Sequence, residues 1–160
     1  MNNQYNQYCS YYCLDEGEWN KAQAALHLAK RFGLIDDDSI FALEKRRKAK
    51  NEENAKKKEN RELFYGPCVY TPPMYLQYEL TRFRLDFVQP SAKIKALGVC
   101  PTFSQEEKRA FYEDNLDLFG RYHGDLFSYE DVEQIIEKRL REDAYDRFIQ
   151  DILCQSRKWE

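Results

Sequence analysis

The sequence predicts a mostly α-helical protein, a cradle of about five helices carrying one small β-hairpin. Three observations lead there. Apolar residues recur at three- and four-residue steps along much of the chain. Only six glycines and five prolines interrupt 160 residues, which suits long helices joined by short links. β-Prone triplets face each other at one place, Leu63-Phe64-Tyr65 and Cys68-Val69-Tyr70, on either side of the turn dipeptide Gly66-Pro67.

Charged residues make up 33% of the chain and the mean hydropathy is −0.84, yet aromatics reach 15%, with twelve tyrosines. That aromatic share argues against disorder. A length of 160 residues supports one domain with a modest core. The expected division is a partly ordered polar and aromatic segment over 1–14, with Tyr5, Tyr8, Cys9 and Tyr12 as a stripe, and a single helical domain over 15–160. The start has neither the basic nor the apolar region of a secretory signal. No run approaches the roughly 18 apolar residues of a membrane span. The expectation is a cytoplasmic protein without such a span.

The first firm helix is expected from about Glu18 to Phe32, where Trp19, Ala22, Ala25, Leu26, Ala29 and Phe32 form one face. His27 falls on the opposite face, toward solvent. Gly33 ends the helix in a left-handed position, with Leu34 folding back in a Schellman cap. Asp38 or Ser39 caps the next helix, which starts with Ile40, Phe41 and Leu43 and then loses its apolar residues. Lys45 to Arg61 holds nine basic and three acidic residues. A helix with no apolar stripe is expected to project into water, held by internal ion pairs.

Thr71 and Pro72 open a helix reaching about Val88, with a seam of Leu76, Leu80, Phe83 and Phe87 and a second stripe of Tyr75, Tyr78, Arg82 and Leu85. A short helical piece ends at Gly98. Ser104 and Glu107 form a capping box for the next helix, with Phe111, Leu116, Leu118 and Phe119 as apolar anchors. After the loop Gly120–Asp125, Ser128 and Asp131 signal the last helix. Its face is marked by Val132, Ile135, Ile136, Leu140, Tyr145, Phe148, Ile149, Ile152 and Leu153. A two-stranded hairpin is marginal without further support, so a C-terminal strand near Trp159 is expected to join it.

Chemistry-bearing groups are sparse. The five cysteines, Cys9, Cys13, Cys68, Cys100 and Cys154, read as idle or buried thiols, and Cys9 with Cys13 supplies only half of a four-ligand zinc site. No metal and no cofactor is expected. His27 and His123 are the two histidines; a Cys–His nucleophile pair, such as Cys100 with His123, is open to the fold, and neither residue lies in a nucleophile motif. No glycine-rich phosphate loop is present. The expectation is a protein that is not an enzyme, with no catalytic residue.

The stretches "ELFYGPCVYTPPMYLQYELTRF", "FSQEEKRAFYEDNLDLF" and "FSYEDVEQIIEKRLREDAYDRFIQDILCQSRKWE" together resemble the chaperone domain of SurA/PrsA-type foldases. Gly66, then Ser104, Glu106, Glu107, Phe111 and Tyr112, then Phe127, Val132, Ile136 and Leu140 carry the likeness. Only seven residues stand where such proteins insert a parvulin domain, so isomerase activity is expected to be absent. The resemblance implies a non-catalytic polypeptide-binding module serving a client or one dedicated protein partner. Tyr75, Tyr78, Phe83, Phe111, Tyr112, Tyr122 and Tyr129 are its binding candidates; each weighs against the alternative of filling the core. A helical scaffold or homo-oligomer is the second reading. Nucleic-acid binding through 45–61 ranks last, because acidic residues interleave the run and no aromatic stands there to stack on bases.

Overall fold

In the computed structural model, which describes residues 2–90, 92–98 and 100–156, the chain is helical and contains no β-strand among those residues. Seven α-helices follow in order: α1 Asn2–Tyr12, α2 Glu16–Arg31, α3 Ile40–Glu59, α4 Pro72–Val88, α5 Ala92–Leu97, α6 Gln105–Asp114 and α7 Tyr129–Ser156. Two 3-10 turns, Leu116–Phe119 and Tyr122–Gly124, lie between α6 and α7. The chain divides into two compact units, Met1–Phe83 with Asp151–Glu160, and Arg84–Gln150.

In the first unit the core gathers Tyr12, Trp19, Leu26, Leu43, Tyr70, Tyr75, Leu76 and Phe83. α1 is tied in by aromatic stacking of Tyr8 and Tyr12 on Trp19, with centroids 5.9 and 5.2 Å apart. α2 begins two residues earlier than the periodicity suggests because Asp15 and Glu18 form a full capping box. It ends as expected: Gly33 has φ +61° and the Leu34 amide donates to the Ala29 carbonyl at 2.9 Å. His27 is not simply solvated. Its Nδ1 lies 2.9 Å from Asp38, which also accepts from Lys30 at 2.8 Å. Burial opposes ionisation of Asp38, but these hydrogen bonds outweigh it and hold the carboxyl below its ordinary range.

Two expectations fail together, for one reason. α3 does not project freely, and the hairpin at 63–65 and 68–70 does not form. The side chains of α3 bind the backbone that the hairpin would have paired with itself. Asn51 brackets Tyr70, accepting from its N–H at 2.7 Å and donating to its carbonyl at 3.0 Å. Arg47 donates to the same carbonyl at 3.0 Å, and Asn54, 2% exposed, donates to the Pro67 carbonyl at 3.0 Å. The inward stripe of α3 is thus polar, at helical spacing: Arg47, Asn51 and Asn54. Gly66 takes φ +102°, and a Cβ there would meet the Tyr70 hydroxyl at 2.9 Å. The expected strand near Trp159 lies outside the described residues.

An ion pair between a buried carboxylate and a half-buried arginine completes this unit. Glu79, 1% exposed, receives Arg46 Nε and Nη2 at 2.9 and 2.8 Å on its two oxygens, and the Tyr75 hydroxyl at 2.9 Å. Arg46 also donates to the Asp37 carbonyl. Burial works against the Arg46 charge, but its bonds with Glu79 prevail and raise its pKa. Such a pair costs several kcal/mol in desolvation and persists because its geometry is bidentate and its remaining valences are filled.

The second unit has a core of Phe119, Tyr129, Val132 and Ile136, with Phe111, Tyr112 and Leu140 against it. Phe87, fully buried, packs on Tyr145 at 5.5 Å, and Arg84 pairs with Asp146 while lying 5.3 Å over the Tyr145 ring. Burial pushes the Tyr145 phenol up to about 12. No helix among the described residues is long and apolar enough to cross a membrane.

Candidate functional site

The second unit has a cleft of about 460 Å³ between the 116–128 segment and the start of α7, within the size range of small ligand and side-chain pockets. Its formation follows from local sequence. The Ser104–Glu107 capping box starts α6 as the spacing predicts. α6 ends at Asp114, and the chain turns through Leu116–Phe119 in a 3-10 turn. Gly120 and Leu126 then form an isolated antiparallel bridge, with the Phe127 amide donating to the Phe119 carbonyl at 3.0 Å. His123 and Gly124, at φ +70° and +85°, close the tip of this turn.

Phe127 is further fixed by the Tyr112 hydroxyl, which donates to its carbonyl at 2.5 Å. Ser128 caps α7 through the Asp131 amide at 3.3 Å. α6 and α7 are joined by a polar chain: Tyr129 donates to Gln105 at 2.7 Å, while Gln105 and Lys108 both donate to Glu133, at 2.9 and 2.6 Å. The hydrogen bonds from Lys108 and Gln105 lower the Glu133 pKa.

The cleft wall is Leu118, Phe119, Phe127, Val132 and Ile135, and its charged rim is Arg121, Asp131 and Arg139. Val132, Ile135 and Arg139 stand at i, i+3 and i+7 along α7, one helical face. Phe119 and Val132 form the floor at 4% and 3% exposure, whereas Leu118 is 59% and Ile135 51% exposed. The Arg121 guanidinium sits 4.0 Å from the Phe127 ring centroid and 3.9 Å from Asp131. An apolar floor with an open apolar rim and two arginines suits an apolar group flanked by negative charge.

The seven aromatic candidates divide between the units. Tyr75, Tyr78 and Phe83 lie in the first, with Tyr75 and Phe83 buried and Tyr78 half-buried in an aromatic cluster with Tyr70. Phe111, Tyr112, Tyr122 and Tyr129 lie in the second. Tyr129 is buried, Phe111 and Tyr112 are half-buried against the core, and Tyr122 is 91% exposed. The cleft residues are different ones. A signal for Ile135 was present: Ile135 and Ile136 are adjacent, about 100° apart on a helix, and Ile136 alone is fully buried.

Among the described residues no group of three or more His, Cys, Asp or Glu side chains is arranged to hold a metal ion. Among the described residues, the carboxyl groups with a resolved shift, at Asp37, Asp38, Glu53, Glu106 and Glu133, are shifted downward by hydrogen bonds they accept. These carboxylates stay ionised at neutral pH.

No family model and no curated protein matches the chain. Two solved structures do: a GH136 lacto-N-biosidase from Eubacterium ramulus as the native protein, and its selenomethionine derivative. The native structure superposes with a TM-score of 0.67 at 31% sequence identity, covering 84% of this chain, and the derivative gives the same score and identity over 85%. The chain spans 27% of the length of that lacto-N-biosidase. The comparison overturns two expectations, the non-catalytic polypeptide-binding module and the absence of enzymatic function: the similar protein is a glycoside hydrolase. It does not bear on the SurA/PrsA resemblance itself.

Proposed function

We propose that this chain is the helical portion of a glycoside hydrolase of the lacto-N-biosidase kind, acting on glycans that carry a terminal lacto-N-biose unit. One observation carries the reading: 31% identity and a TM-score of 0.67 over 84% of the chain, against one solved enzyme of that activity. Identity at that level over that length goes beyond a shared arrangement of helices.

Glycoside hydrolysis asks for two carboxyl groups, one ionised and one protonated near neutral pH, flanking the scissile bond. Asp38 and Glu133 are engaged by Lys30 and Lys108 in ion pairs, which is not the two-carboxyl arrangement that reaction needs. A proton donor needs its pKa raised by burial or by a neighbouring negative charge. The proposal places that donor in the length of the enzyme beyond the part this chain matches.

The test is a chimera in which this chain replaces the matched segment of the Eubacterium ramulus lacto-N-biosidase. Release of p-nitrophenol from p-nitrophenyl lacto-N-bioside is measured against the parent enzyme and against the parent with the segment deleted. Turnover well above that of the deletion is expected. A folded chimera no more active than the deletion contradicts the proposal.

A further inference from the structure

The cleft at the start of α7 has no occupant within its own unit, and its rim is unlike an ordinary solvated surface. Leu118 and Ile135 are each more than half exposed, and Phe127 is 38% exposed. Single exposed apolar residues are unremarkable on a monomer, but several around one concavity mark a contact site. Of the charged rim, Arg139 is paired with Glu142 at 2.9 Å and Asp131 accepts from the Ser128 hydroxyl at 2.9 Å, which leaves Arg121 the weakly engaged group. Arg121 reaches Asp131 only at 3.9 Å, the outer limit of an ion pair, and is otherwise spread over the Phe127 ring.

From this geometry we infer that the cleft docks the remaining part of the glycoside hydrolase, through an apolar side chain seated between Leu118 and Ile135 with a carboxylate beside it facing Arg121. The inference rests on the function proposed above. Two observations choose this occupant. The similar enzyme extends well beyond the 27% that this chain matches, so a helical portion of it must meet further protein. The wall is aliphatic at Leu118, Val132 and Ile135, and the ring of Phe127 is already covered by a guanidinium. A saccharide prefers an open aromatic face; an aliphatic pocket beside an arginine suits a side chain and an acid.

The experiment uses the chimera described above, with a protease site placed at each junction between this chain and the rest. After cleavage at micromolar concentration, gel filtration asks whether the two parts stay together. They are expected to co-elute, and Ile135→Asp and Leu118→Asp are each expected to weaken the association at least tenfold and separate them. Leu63→Asp, which places the same charge on a residue 97% exposed in the other unit, is expected to leave co-elution intact. Circular dichroism of each variant establishes that it is folded. Parts that separate without any substitution, or that co-elute equally well in the cleft variants, overturn the docking assignment even when the uncleaved chimera is active. An inactive chimera whose parts co-elute through the cleft counts against the proposed activity and leaves docking standing. A dimer of this chain alone, abolished by Ile135→Asp, assigns the cleft to a second copy and also overturns the inference.

Discussion

The two units solve the problem of unpaired groups in opposite ways. In the first, polar groups that hairpin formation would have satisfied are taken up by side chains of α3, and the buried Glu79 is filled by Arg46 and Tyr75. In the second, an apolar floor at Phe119 and Val132 is left with an open rim at Leu118 and Ile135. A buried polar group without a partner is costly inside one chain, which favours satisfying it there. An exposed apolar rim is tolerable in one chain and favourable when another protein covers it. The contrast separates residues that hold the fold from residues free to serve a contact.

The contrast breaks most sharply at Glu79. Glu79→Ala leaves Arg46 without its carboxylate and Tyr75 without its acceptor, and the expected loss is about 3–5 kcal/mol in urea denaturation followed by circular dichroism. A loss below about 1 kcal/mol contradicts the polar-clamp description. The second unit has its own sensitive point at high pH. Burial raises the Tyr145 pKa to about 12, above the ordinary value near 10. The folded state therefore holds a proton that the unfolded state releases, so stability is full below pH 10 and falls as pH rises toward 12, by about 2–3 kcal/mol. Tyr12 and Tyr75 shift in the same direction, through burial and a neighbouring glutamate. Denaturation midpoints measured from pH 9 to 12, beside phenolate absorbance, check the sign.

A smaller effect is expected at Asn51. Asn51→Ala frees the Tyr70 N–H and leaves its carbonyl to Arg47 alone, and is expected to cost about 1–3 kcal/mol. It should also speed hydrogen exchange at the Tyr70 amide and proteolysis within residues 62–71. The smallest effect is expected in the cleft, where Leu118→Ser should change stability by no more than about 0.5 kcal/mol, as at most exposed sites. A large destabilisation there would make Leu118 part of the core and remove the contrast.

Much of the helical order was legible in the sequence because it rests on local rules. The Gly33 stop, the Ser104–Glu107 box and the start of α4 at Pro72 depend on a few neighbouring residues and appear as expected. The failures were non-local. Leu63–Tyr65 and Cys68–Tyr70 have β propensity, but pairing depends on what else competes for their backbone. Asn51 and Asn54, three apart in a lysine-rich run, were that competitor; an apolar-stripe search passes over a polar stripe. The cleft was hidden for a related reason. Periodicity places Val132, Ile135 and Ile136 on one face, but it cannot say which of them the core covers. No spacing rule pointed to glycoside hydrolysis; that reading entered through likeness over most of the chain.

This chain is proposed to stand for the matched part of a lacto-N-biosidase. The most direct measurement is the steady-state rate of p-nitrophenyl lacto-N-bioside hydrolysis by the chimera, compared with the parent enzyme and with the segment-deleted enzyme. A rate at least tenfold above that of the deletion is expected. A chimera that is folded, soluble and indistinguishable from the deletion would contradict it.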